Sequence, residues 1–94
     1  MAHERSKSLA RRVAAILTRS GASKAGRGVT GFRALPRDWA PGGVDVVEVD
    51  DEGYRSWNQD ALVTYHAILV RGGFNAQLRY LRGGPFDLFV PLTS

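Results

Sequence analysis

Residues 15–21 read Ala-Ile-Leu-Thr-Arg-Ser-Gly, and residues 67–73 read Ala-Ile-Leu-Val-Arg-Gly-Gly. At an offset of 52, five of the seven positions are identical. Each copy closes a stretch with helical periodicity, and strand-like sequence follows both. A repeat on this scale bears on the fold before any single residue does. It predicts two helix–strand–strand units, over about 7–49 and 56–94, packed as one pseudo-symmetric domain.

Working outward from the first copy, Leu9, Val13, Ile16 and Leu17 fall on one face of a 3.6-residue period. This predicts a helix over 7–19, with Ser6 or Ser8 as its cap and Gly21 as its stop. Residues 1–6 are expected to be disordered. Around the second copy, Trp57, Ala61, Leu62, Tyr65, Ile68 and Leu69 form a broad apolar face. Ser56-Trp57-Asn58-Gln59 matches a capping box, and Gly72-Gly73 ends that helix near Arg71.

Strands are predicted over 29–35, 44–49, 74–81 and 86–92. In the third, Phe74, Ala76, Leu78 and Tyr80 alternate with polar residues. In the second, Val44, Val46, Val47 and Val49 break alternation, which requires a bulge or burial on both faces. Pro91 cannot donate a ladder hydrogen bond, so the last strand is an edge or ends there. The predicted fold class is α+β: an αββαββ pseudo-repeat, with a four-stranded antiparallel sheet and both helices on one face. Leu9, Val13, Ile16, Leu17, Leu62, Tyr65, Leu69, Leu78 and Leu88 are its expected core.

Ninety-four residues make one domain, small enough that dimerisation would stabilise it. There is no cysteine, which excludes disulfides, thiol chemistry and Cys-based metal sites. No apolar run approaches the roughly 18–20 residues of a membrane helix, and no apolar core follows the basic N-terminus as in a secretory signal. A soluble, cytoplasmic protein is expected.

Charge is uneven along the chain. Residues 1–37 hold nine Lys/Arg against Glu4 alone, whereas 38–94 hold four Arg against eight Asp/Glu, giving the net +4. A basic half points to an anionic partner, with a solvated helix face as the plainer alternative. Arg5, Arg12 and Arg19 are seven apart and line one flank of the first helix, while Lys7 and Arg11 lie on its far side.

The helix ending Arg-Ser-Gly at 19–21, the basic loop, Gly31-Phe32-Arg33, the valine strand at 44–49 and the Gly-Gly-Phe at 72–74 resemble small uncharacterised proteins of actinobacterial phages. That resemblance implies the two-unit fold, a phage or mobile-element origin and residence in the host cytoplasm. It implies no site residue.

Several motifs suggest chemistry. Residues 26–31 match G-x-G-x-x-G, but follow a helix and enter a strand, the reverse of a dinucleotide site. The loop is then a flexible connection, or its amides hold a phosphate beside Lys24 and Arg27. His3 and His66 lack partners at ligand spacing, so no metal is expected. Asp50, Asp51 and Glu52 do not match an EF-hand and read as an acidic turn before a helix. No nucleophile turn is present. The expectation is a non-enzymatic binding module without cofactor.

Two partners fit. The first is nucleic acid, held electrostatically by Arg5, Arg12, Arg19, Lys24, Arg27 and Arg33. The second is a host protein, contacted through Trp39 and Phe89, since loop aromatics are enriched at interfaces. For Trp39 the plainer alternative is a lid folded over the edge of the core.

Overall fold

The computed structural model describes residues 2–56, 58–80 and 86–92. The order is α1 (Ala2–Arg19), β1 (Gly31–Pro36), β2 (Gly43–Val49), β3 (Arg55–Ser56), α2 (Gln59–Arg71), β4 (Gln77–Tyr80) and β5 (Phe86–Pro91). The fold is α+β, with two helices and an open, fully antiparallel sheet.

In α1 the apolar residues fall on one stripe, and Leu9, Ala10, Val13 and Leu17 are buried. Gly21 stops the helix at φ +95°, letting Ala22 donate back to the Leu17 carbonyl at 3.0 Å. The helix begins earlier than its periodicity suggests. Residues 2–6 are helical because Ser6 is fully buried, and its Oγ accepts from the Gly43 amide at 3.0 Å. A serine expected to cap the helix instead tethers it to the first residue of β2.

The strand order is β1-β2-β5-β4, and β3 extends the sheet along the second half of β2. This fifth strand was not expected. It forms because Asp50 folds the chain back: its Oδ1 accepts from the Glu52 and Tyr54 amides, and its own amide donates to Tyr54. The acidic run is thus a hairpin turn. Ser56 belongs to β3, so the capping box does not form, and Asn58 caps α2 by accepting from the Ala61 amide at 3.3 Å. Trp57 lies outside the described residues.

Val44, Val46, Leu88 and Val90 point to the helix side, with Val44 opposite Val90 and Val46 opposite Leu88. They share one core with Phe32 and with Leu9, Val13 and Leu17 of α1 and Leu62, Tyr65 and Leu69 of α2. Ile16 and Leu78 pack against its margin. Val47 and Val49 are buried on the opposite side, so β2 breaks alternation by double burial, in an unbroken register with β1. β5 is an inner strand, and Pro91 is its last residue.

The two halves differ: β3 has no counterpart among the described residues of the second, and the connection lengths are unequal. α1 and β1 are separated by residues 20–30, α2 and β4 only by 72–76. The longer connection folds onto β1: Ala25 donates to Phe32 and Phe32 to Ser23, at 3.0 and 2.9 Å. A Cβ on Gly31 would lie 2.2 Å from the Ser23 carbonyl oxygen, so only glycine admits this approach. That glycine closes the G-x-G-x-x-G match, and its role is steric.

Candidate nucleic-acid interface

α1 buries one stripe and turns the rest of its surface to solvent. Arg5, Lys7, Arg11, Arg12 and Arg19 are all exposed there. Arg5, Ser8 and Arg12 line a shallow depression with Leu9 and Leu92. Arg12 lies 5.5 Å from the Phe74 ring centroid, a cation–π contact that fixes its stem without neutralising it. On the other flank of α1, Arg11 and Lys24 line a second depression above Phe32 and Ala34.

The six cations singled out from sequence therefore do not form one patch. Arg5, Arg12 and Arg19 share the outer surface of α1, Lys24 lies across the helix beside Arg11, and Arg27 sits in the exposed turn beyond it. Arg33 alternates with the buried Phe32, so it emerges on the opposite face of the sheet. Arg11, expected on the far side of the helix, is exposed and lies with Lys24 on that flank.

Among the described residues, Arg11, Arg12, Arg19, Lys24, Arg27 and Arg33 make no ion pair. The close ion pairs lie elsewhere. Arg37 binds Asp45 through two bonds, Nε at 2.8 Å and a terminal nitrogen at 2.9 Å. That hydrogen bonding raises the Arg37 pKa above its ordinary value, outweighing partial burial. Arg79 pairs with Asp87 directly across the β4–β5 ladder. Lys7 and Glu4 form a looser exposed pair at 3.8 Å on α1.

Both pairs of arginine and aspartate sit on the helix-free face. There the row Leu35, Asp45, Phe89 and Gln77 crosses all four main strands. The Arg37 guanidinium lies 4.0 Å from the Phe89 ring centroid and that of Arg79 lies 4.9 Å away. Phe89 is only 4% exposed, so it is not the open contact residue expected from sequence; two arginines cover it. Trp39 is 57% exposed, with Arg37 5.6 Å from its ring. The sequence did carry a sign of this cluster: in each hairpin an arginine precedes an aspartate by eight residues.

His66 is half-buried, and no group of three His, Asp or Glu able to hold a metal occurs among the described residues. No helix among them is long and apolar enough to cross a membrane. No family profile, curated protein or solved structure matches the chain.

Proposed function

We propose that this protein is a non-enzymatic module that binds nucleic acid by gripping phosphates with the outer surface of α1. The observation that carries this reading is the set of exposed cations on α1, of which Arg12 and Arg19 on the outer surface have no carboxylate partner among the described residues. Phosphates supply the missing counter-charge, and each contact releases condensed cations. Among the described residues no recognition helix of helix-turn-helix type and no zinc site supports base reading, so the binding is tolerant of sequence.

The experiment is a salt titration of a fluorescent duplex. About four phosphate contacts give a log–log slope near −3 to −4, from the factor of about 0.9 per contact. A slope near zero refutes this reading and favours the second one, a phage-encoded module acting on a host protein in the host cytoplasm. The open ring of Trp39 supports that alternative. The two-unit pseudo-repeat belongs to the same proposal. It is supported by the strand order β1-β2-β5-β4 and by the arginine–aspartate pair in each hairpin.

A further inference from the structure

We infer that the helix-free face of the sheet is a second binding surface, built for single-stranded nucleic acid, with Trp39 as the ring on which a base stacks. This goes beyond the α1 reading, since it uses other residues on the opposite side of the sheet. It shares with that reading only the class of partner.

The floor of this face is closed. Val47, Val49 and Phe89 are buried, and Arg37 and Arg79 lie over Phe89 with their charges met by Asp45 and Asp87. Among the described residues, the exposed groups of this face include the Trp39 ring, Leu35 at 43% exposure, the polar Gln77, Arg55 and the Asp87-paired Arg79, and the Arg33 side chain, which has no ion pair. Among the described residues this face exposes two large apolar side chains, Trp39 and Leu35, against about 800 Å² that a protein interface takes from each partner. An open ring with a cation beside it is the arrangement on which unpaired bases stack while their phosphates meet positive charge. The open cation here is Arg33; Arg37, bound twice by Asp45, lies between Trp39 and Phe89 and steadies the ring rather than meeting a phosphate.

Arg33 lies four residues from Arg37 on the same edge, about 13 Å along an extended chain. A strand stacked at Trp39 therefore runs along β1 to place a phosphate at Arg33.

The test titrates the full chain with a fluorescent oligo-dT at low salt, following both the label and intrinsic tryptophan emission. Tryptophan emission is expected to quench on binding. Trp39→Leu should remove the part of the quench that Trp39, one of two tryptophans, contributes, and weaken oligo-dT binding roughly 5- to 150-fold, the effect of removing one stacked base. Trp39→Tyr should restore most of the affinity, and thermal unfolding of each variant verifies that it is folded. Unchanged oligo-dT affinity in Trp39→Leu overturns the inference, as does failure to bind oligo-dT. Loss of binding in Arg12→Ala/Arg19→Ala with Trp39→Leu unaffected sinks this surface and leaves the α1 reading standing. The converse pattern supports this surface and leaves the α1 reading to its duplex titration. If Trp39→Leu leaves oligo-dT binding intact but ends association with a host protein, the face belongs to a protein partner, and the inference falls.

Discussion

The Tyr65 hydroxyl donates a 2.7 Å hydrogen bond to Oε1 of Glu48, joining the middle of α2 to the central strand β2. Glu48 is only 7% exposed and Tyr65 only 6%, so the pair lies within the core, where the Tyr65 ring meets Phe32 edge-on at 6.0 Å. Tyr65→Phe keeps the ring and leaves a buried carboxylate oxygen without this donor. The expected loss is about 1–3 kcal/mol of unfolding free energy, read by denaturant titration.

The same pair sets an alkaline limit. Burial first, and then the hydrogen bond to Glu48, raise the Tyr65 pKa above its ordinary value of about 10. The unfolded phenol therefore releases its proton at a lower pH than the folded one. The stabilising contribution is complete below about pH 10 and is lost as pH rises toward the folded value. Unfolding free energy should fall above pH 10 by up to about 1.4 kcal/mol per pH unit from this group. Tyr65→Phe should flatten the decline, and an equally steep decline in that variant would assign it to other groups.

Ser6 shows where sequence reading stops. Its position before an amphipathic stripe made it look like an exposed cap, yet its Oγ accepts from Gly43 across the molecule. Ser6→Ala should cost about 1–3 kcal/mol and speed exchange of the Gly43 amide, because that donor is then buried without an acceptor. A surface serine would give an effect within about 0.5 kcal/mol.

Gly31 and Gly26 should separate in the same way. Gly31→Ala drives a Cβ against the Ser23 carbonyl, so residues 23–25 must leave β1 and give up their bonds to Phe32. Faster exchange of the Ala25 and Phe32 amides and a cooperative loss of stability are expected. Gly26→Ala meets nothing within 4 Å and should be silent by the same measurements. A nucleotide-binding loop would show the reverse dependence, with ligand affinity falling at both positions.

Periodic signals were legible and long-range pairings were not. The stripe Leu9, Val13, Leu17 and the stripe Leu62, Tyr65, Leu69 identified both helices and the shared core, because burial repeats with the helix period. β3 was invisible, since two residues carry no period and their pairing depends on the Asp50 turn. The cation list was legible as composition, but its distribution was not. Arg33 was separated from Arg12 by the strand's alternation, and Phe89 was closed off by Arg37, which lies far from it in the chain.

Those placements make the charge prediction selective. Arg12 and Arg19 are exposed on α1 with no carboxylate partner among the described residues, so each offers a full charge to a phosphate. Arg37 is equally cationic, but its two bonds to Asp45 already satisfy it, and its side chain is only 13% exposed. Arg12→Ala with Arg19→Ala should therefore lower the magnitude of the log–log salt slope on a duplex by about two, at about 0.9 per lost contact. Melting temperature should fall only slightly, since neither side chain enters the core and Arg12 gives up only its contact with the Phe74 ring. Arg37→Ala should leave the duplex slope unchanged while reducing stability, because it strips the cover from Phe89 and unpairs Asp45. An equal drop in slope for both variants would mean that net charge alone governs binding, and the outer surface of α1 would lose its claim to be the site.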